Sequence, residues 1–231
     1  MKKKMGKGWL KGVGFLVLIF SLVLNLLFYQ KIQRFEEKEL VLVKDVLDGD
    51  TFYLENQQKV RLLNVDAPEL EYCGGLDAQN RLSELILGKK VRIDSATTDK
   101  FGRAVALVYQ GKNFINLIMV EEGWANYEGR KIAQSEELVA ATRKAKEEGW
   151  GIFSPACYQR ENPDQPKCNI KGNNSRDTGE KIYHFPGCSN YLNIIVEKFM
   201  GDEWFCSEEE AEEAGFKKSE NCFGKKYTPE S

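Results

Sequence analysis

From residue 39 onward, short apolar-rich segments alternate with clusters of turn residues, a pattern typical of strands joined by tight turns. Asp48-Gly49 and Asn56-Gln57-Gln58 mark two reversals of the chain. The pattern predicts five strands, in the segments ELVLVKDVL, TFYLEN, KVRLLNV, KKVRIDSAT and RAVALVYQ.

Three further segments carry apolar residues at helical spacing. They cover residues 76–87, 113–123 and 135–149, with Ser135 as the expected N-cap of the third. Five strands with a helix after the third are typical of an OB-type Greek-key barrel. We therefore predict a mainly β, α+β fold for residues 39–154, consisting of a five-stranded OB-fold barrel with three helices.

The N-terminal 30 residues follow a different pattern. Five lysines precede an uncharged apolar run, 13–29, which is long enough to span a hydrocarbon core of roughly 30 Å if it is extended back to residue 9. The lysine excess before the run favours a cytoplasmic N-terminus. We predict that residues 1–30 are a cytoplasmic tip and an uncleaved transmembrane anchor, which contacts the membrane through residues 9–29. The alternative is a cleaved signal and a secreted protein.

Beyond residue 154 the chain becomes more polar. Residues 155–178, with three prolines, predict a linker, and residues 179–225 predict a small α+β module. The cysteines are even in number and all follow the apolar run, which suits disulfides in an oxidising, extracytoplasmic compartment. The six are Cys73, Cys157, Cys168, Cys188, Cys206 and Cys222.

The formal net charge is −2 and the chain has one histidine. A globally basic surface for polyanions is therefore absent, and attraction to nucleic acid would have to come from local patches. Chemistry that works without imidazole is favoured for the same reason.

Candidate chemistry is concentrated in three phrases, DGDT, RLLNVDAPE and TDKFGR. Asp50 and Asp66, with the backbone carbonyl of Ala67, offer hard oxygen ligands that suit Ca²⁺. Glu69 is placed to orient a water as a general base. Two guanidinium groups that can bind phosphate oxygens complete the set, Arg61 and Arg103. Each phrase alone is commonplace, but together they predict phosphodiester hydrolysis.

The three phrases, in this order, resemble the signature of the thermonuclease family, the staphylococcal-nuclease-like domains. The resemblance covers roughly residues 40–154 and extends to EEGWA and GIFSP. It implies an OB barrel with one Ca²⁺ and endonucleolytic cleavage of DNA and RNA to 3′-phosphate ends. It also implies the roles given above: Asp50, Asp66 and Ala67 at the metal, and Arg61, Glu69 and Arg103 in catalysis.

The family's substrate contacts are less completely matched. Phe101 stands where relatives often have tyrosine, and the loop after Glu69 is short. Lys100 and Tyr127 are the candidates for substrate binding. Tyr127 could stack on a base, and the alternative is a plain packing role.

Sequence alone leaves the cysteine pairing open. A Cys73–Cys157 bridge would tie the loop after Glu69 to the end of the barrel domain. The C-terminal sequence resembles a module often appended to thermonuclease domains, which implies Cys168–Cys206 and Cys188–Cys222. The alternative there is a Zn²⁺ site, with ligands His184, Cys188, Cys206 and Cys222.

The predicted protein is thus a membrane-anchored, extracytoplasmic, Ca²⁺-dependent nuclease whose partners are DNA or RNA and the membrane. One rival is a non-catalytic module of the same fold that binds nucleic acid or peptide. Such relatives would be expected to lose the site carboxylates and arginines, and this chain keeps all five. A second rival is a surface protein that acts through its C-terminal module.

Overall fold

The computed structural model describes residues 18–29, 40–127, 129, 131–175 and 178–228, and the chain divides into two compact units after residue 40. In the first unit, residues 18–29 are helical (α1), and their large apolar side chains are exposed. Residues 9–17 of the predicted anchor lie outside the described residues. Among the described helices, none combines the length and the apolar character that crossing a membrane requires.

The second unit begins with a closed barrel of five strands, which confirms the predicted architecture. The strand bounds are β1 Val41–Val46, β2 Thr51–Leu54, β3 Lys59–Leu62, β4 Val65–Asp66, β5 Lys90–Thr98, β6 Ala104–Gln110, β7 Asn113–Phe114 and β8 Asn126–Tyr127. The barrel strands pair in the order β3-β2-β1-β5-β6, and a parallel β3–β6 pair closes the ring. The short strands β4 and β8 pair with each other, and β7 pairs with β6 at the edge of the sheet.

The barrel closes over an apolar core because alternate side chains along each strand point inward. Phe52, Val60 and Leu62 are fully buried there. The buried Asn116 fastens the closure: its side-chain amide donates to the carbonyls of Leu63 and Ala106, and its oxygen accepts from the Val108 N–H. One asparagine thereby satisfies backbone groups of β6 and of the residue that follows β3.

Three helices follow the predicted order: α2 Gly75–Ile86, α3 Ile115–Glu121 and α4 Ser135–Glu148. The predicted N-cap of α4 is wrong by one residue, because Gln134 occupies that position and makes no side-chain cap bond. The Ser135 hydroxyl instead accepts from the Ile132 N–H and bonds the Tyr127 hydroxyl. A tertiary contact has replaced the local cap.

The C-terminal region, residues 155–228, contains six described strands, β9 Tyr158–Gln159, β10 Ile170–Asn174, β11 Lys181–His184, β12 Val196–Glu197, β13 Glu203–Phe205 and β14 Lys217–Lys218. Four of them form a second sheet in the order β13-β10-β11-β14, and β9 pairs with β12. The described α-helix of this region is α5 Glu208–Glu213.

Residues 158–159 and 170–174 of the predicted linker 155–178 therefore form strands, β9 and the inner strand β10. Its polar composition misled the sequence interpretation, because the Asn173 and Asn174 side chains find partners far along the chain, at Asp202, Ile195, Met200 and Gly201. Gly172 is required on β10, since a Cβ there would lie 2.6 Å from the Phe205 ring.

Three disulfides are present, Cys73–Cys157, Cys168–Cys206 and Cys188–Cys222. The first lies at a small apolar cluster in which Ala145 of α4 and Phe153 pack with Phe199 of the C-terminal region. This cluster and the Cys73 bridge join the barrel to the C-terminal region.

Candidate active site

A tight turn places Asp50 at the entrance to β2. The Asp48 side chain accepts a hydrogen bond from the Asp50 N–H at 3.0 Å. A Cβ at Gly49 would lie 2.5 Å from the Ala78 Cβ and 2.6 Å from the Ala67 Cβ. Glycine is therefore needed in the DGDT phrase, because α2 and the segment after β4 pack directly on it. The packing leaves Asp50 only 2% exposed.

Arg61 connects the two aspartates. Strands β2 and β3 pair with Thr51 opposite Arg61, which brings the guanidinium beside the neighbouring Asp50. Nη1 donates to Asp50 Oδ1 and Nη2 donates to Asp66 Oδ1, both at 2.8 Å. Three of the predicted site residues, Asp50, Arg61 and Asp66, thus meet in one ion-pair group.

Burial destabilises the ionised form of Asp50 more than its neighbours stabilise it. Burial raises its pKa to about 7, although the Arg61 charge acts in the opposite direction. The Thr51 hydroxyl at 2.6 Å and the Ala67 N–H at 3.1 Å also donate to it. Because Asp50 shares Arg61 with Asp66, further positive charge nearby would stabilise the ionised form.

Among the described residues, no group of three or more His, Cys, Asp or Glu side chains is placed to hold a metal ion. Glu69 therefore does not join the two aspartates as a third acidic ligand. The pair itself has hard oxygen donors, and the Ala67 backbone lies against Asp50. A cation that takes oxygen ligands and completes its shell with water fits this donor set and would offset the burial of Asp50.

Arg103 precedes β6, whose Val105 pairs with Arg61 across the closing strands. Its Nε donates to Asp99 Oδ2 at 2.7 Å, and its backbone N–H donates to Asp99 Oδ1 at 3.0 Å. The sequence analysis did not identify Asp99 as a positioning residue. Its place four residues before Arg103, across a predicted turn, could have indicated an ion pair. The Arg103 guanidinium also lies 5.2 Å from the centre of the Phe101 ring.

Glu69 is exposed in the turn segment that precedes α2. Its carbonyl accepts from the Tyr72 N–H, and the Tyr72 carbonyl accepts from the Gly75 N–H, each at 3.0 Å. Two successive turns thus hold the backbone of Glu69 against the start of the helix. The carboxylate makes no hydrogen bond or ion pair with the described residues, which leaves it available to a water.

The two substrate-binding candidates differ in placement. The Lys100 ammonium lies 5.0 Å from the ring centre of Phe101, which is 71% exposed. Tyr127 pairs with Val65 next to Asp66, but its ring packs on the barrel core and its hydroxyl bonds Ser135 at 2.9 Å. The contacts of Tyr127 therefore favour the packing alternative, and Phe101 is an exposed ring that the sequence analysis did not propose for stacking.

The alternative zinc site is not supported. Each of its three cysteines is half of a disulfide, so no thiolate remains to bind zinc. His184 is buried, and burial lowers its pKa.

Comparisons with known proteins agree with this geometry. A family model described as "Staphylococcal nuclease homologue" matches residues 59–155. The chain is 32% identical over 122 residues to an uncharacterized endonuclease of Haemophilus influenzae, covering 51% of this chain and 68% of that protein. It is also 32% identical over 124 residues to a micrococcal nuclease of Shigella flexneri, covering 47% of this chain and 70% of that protein.

A third relative is the endonuclease YhcR of Bacillus subtilis, which is 29% identical over 211 residues, 78% of this chain but 17% of that protein. Arg61, Asp66, Glu69 and Arg103 lie within the span that the family model matches. The chain therefore belongs to the staphylococcal nuclease homologue family and is a nuclease that hydrolyses phosphodiester bonds.

Proposed function

We propose that this protein is a Ca²⁺-dependent endonuclease that leaves 3′-phosphate ends and acts outside the cytoplasm from a membrane anchor. The observation that carries the catalytic part is the ion-pair group in which Arg61 is held by Asp50 and Asp66, at 2.8 Å from each. The proposal is supported because one group brings together a guanidinium, which can bind phosphate, and two carboxylates, which can bind a hard cation.

Asp50, Asp66 and the Ala67 carbonyl would hold Ca²⁺, which supplies positive charge to a phosphate when it is bound. Arg61 and Arg103 bind the non-bridging oxygens and neutralise the charge that grows on them. Asp99 keeps Arg103 oriented through its Nε, so the terminal nitrogens remain available for the phosphate.

Glu69 orients a water and takes its proton as the water oxygen bonds to phosphorus. The bond between phosphorus and the 5′-oxygen breaks, and that oxygen leaves with a proton from solvent. The products are a 3′-phosphate and a 5′-hydroxyl. An exposed carboxylate without a protein partner suits this role because nothing in the described structure competes for it.

The test is cleavage of single- and double-stranded DNA and of RNA by the full-length chain, with Ca²⁺ and with chelator. We expect cleavage with Ca²⁺, none with chelator, and products that are extended by a polymerase only after phosphatase treatment. The Glu69→Gln variant controls for contaminating nuclease. Binding without cleavage in oxidised, folded protein would instead support the non-catalytic rival.

The location is proposed from three features: the apolar run before residue 30, the exposed apolar side chains of α1, and the three disulfides. Protease added to intact cells is expected to remove the C-terminal region, while a cytoplasmic marker stays intact. Protection of the C-terminal region until the cells are lysed would contradict the outward orientation. Recovery of the chain in the medium would favour the cleaved alternative.

A further inference from the structure

A large cavity lies in the C-terminal region, apart from the ion-pair group at Asp50. Its volume is about 990 Å³, and every lining residue falls between Arg160 and Trp204. The lining combines two cations, two aromatic rings and several amides, notably Arg160, Lys171, Asn190, Tyr191, Asn193 and Trp204. A cavity of this size accommodates a nucleotide-sized ligand.

Lys171 is the unusual member of the lining because it is a lysine only 2% exposed. Its ammonium donates to the carbonyls of Ile194 at 2.8 Å and Tyr191 at 3.3 Å. An ammonium has three protons, and no carboxylate lies within ion-pair distance of this one in the described part of the chain. Burial lowers the pKa of Lys171 to about 8; the nearby Arg160 charge acts in the same direction, and the Glu161 charge acts against it. Glu161 also lines the cavity, so the two cations of the lining outnumber its one carboxylate.

The two aromatic rings are held rigidly beside this charge. The Lys171 ammonium lies 4.3 Å from the ring centre of Tyr191 and 5.6 Å from that of Trp204. The Tyr191 hydroxyl donates to the Asn169 carbonyl and the Trp204 indole donates to the Gln159 side chain, both at 2.7 Å. Anchored rings lose little conformational freedom when a flat ligand stacks on them.

Two further groups at the cavity lack partners. The side-chain oxygen of Asn190 is buried without a hydrogen bond among the described residues. Arg160 is exposed at the rim and makes no ion pair or hydrogen bond in that same part of the structure. A buried acceptor and an unpaired guanidinium are groups that a ligand with donors and negative charge would satisfy.

We propose that this cavity binds a segment of single-stranded nucleic acid, as an accessory substrate site that rests on the proposed nuclease function. The exposed Arg160 meets a phosphate and the buried Lys171 adds its positive charge from behind the site, while the Trp204 and Tyr191 rings stack on bases and the amides contact base edges. Sequence-tolerant strand binding uses this combination of charge and aromatic faces. A simple anion would use the cations but would gain nothing from the rings.

The position of the cavity couples it to the active site. The C-terminal region is joined to the barrel by the Cys73–Cys157 bridge and by the packing of Phe199 with Ala145 and Phe153. A Cβ at Gly201 would lie 2.7 Å from the Tyr72 ring, so the active-site loop packs directly on this region. A strand held in the cavity would raise the local substrate concentration at Glu69.

The test measures the affinity of the oxidised full-length chain for a fluorescent oligothymidylate of about ten nucleotides, in chelator so that cleavage does not interfere. We expect Trp204→Ala and Arg160→Gln each to raise Kd about 5-fold or more. Arg143→Gln, which removes an exposed charge from α4, is the matched control and should leave Kd unchanged. Arg160→Gln decides the matter if Trp204→Ala fails to fold, because Arg160 is exposed and unpaired.

Wild-type Kd values for Arg160→Gln and folded Trp204→Ala would overturn the inference. The inference would also be overturned if heparin bound as tightly as the oligothymidylate and Trp204→Ala left heparin binding unchanged. Charge alone would then account for the binding. The experiment distinguishes failure of the accessory-site proposal from failure of the nuclease proposal. Cleavage in Ca²⁺ with unaltered Kd in the variants refutes only the accessory site, and weakened binding by a chain that never cleaves refutes only the nuclease mechanism.

Discussion

Replacing Arg61 with alanine is expected to reduce the cleavage rate at least about 10²-fold, because one donor to the transition-state phosphate is lost. The same change should lower the free energy of unfolding by about 3 kcal/mol, since Asp50 would remain buried without its counter-ion. The rate is measured per folded molecule by oligonucleotide cleavage in Ca²⁺. The free energy of unfolding is measured by urea denaturation of the oxidised protein.

Arg103→Ala is the matched control, because Arg103 is the second arginine proposed to bind phosphate and it also pairs with a carboxylate, that of Asp99. The Asp99 side chain is 19% exposed, against 2% for Asp50, so removing its partner should lower the urea midpoint much less than Arg61→Ala does. The cleavage rate should still fall by a factor similar to that for Arg61→Ala. Equal destabilisation by the two variants would contradict the burial argument, and wild-type rates in both would contradict the assigned phosphate contacts.

Arg61→Lys separates charge from geometry at this position. A lysine keeps one positive charge near Asp50, but a single ammonium cannot reproduce two parallel bonds from one planar group to Asp50 and Asp66. We expect the variant to recover much of the stability and little of the activity. Recovery of both would mean that the paired bonds are unimportant for positioning.

The barrel and its ion-pair group were predictable because their determinants are short-range and ordered along the chain. Alternating apolar residues specify which faces of β1, β2, β3, β5 and β6 are inward. Once β2 and β3 form a hairpin, Thr51 must face Arg61, and the charged neighbours meet. The DGDT and RLLNVDAPE phrases therefore carry most of the site in themselves.

The rest of the fold could not be predicted, because it depends on contacts between residues that are far apart in the sequence. Strand β10 has the polar sequence IKGNN, and it is stable as a strand because Asp202 accepts from the Asn173 side chain and the Asn174 N–H. The buried Lys171 on the same strand looks like a surface residue in the sequence. Likewise, the role of Ser135 as a partner of Tyr127 follows from how α4 packs on β8, not from its own neighbours.

Long-range packing also explains why the candidates for substrate binding could not be chosen from the sequence. Tyr127 is adjacent to the site in space, because β8 pairs with β4 beside Asp66, yet its ring packs on the core. Phe101 looked like a loss relative to tyrosine, but the structure leaves it exposed between Lys100 and Arg103. Exposure, which decides whether a ring can stack on a base, cannot be read from the identity of the residue.

Gly75→Ala is expected to reduce cleavage about 10²-fold without removing any charged group of the site. A methyl group at this position would overlap the Glu69 carbonyl oxygen and lie 2.9 Å from the Leu70 Cα, so the backbone that carries Glu69 must move. A displacement of about 1 Å at a catalytic group can cost a factor of this size. Overpacking should also lower the free energy of unfolding by about 1–3 kcal/mol.

The control for this substitution is Asn80→Ala, because Asn80 is exposed on the same helix. It tests whether an added or altered side chain on α2 matters by itself, and it should leave rate and stability near wild type. Combining Gly75→Ala with Glu69→Gln gives the decisive comparison. If Gly75→Ala acts by displacing Glu69, the double variant will cleave no more slowly than Glu69→Gln alone, because the carboxylate that the methyl displaces is already gone. A further multiplicative loss would show that Gly75 influences another part of the site, such as the packing of α2 on Gly49.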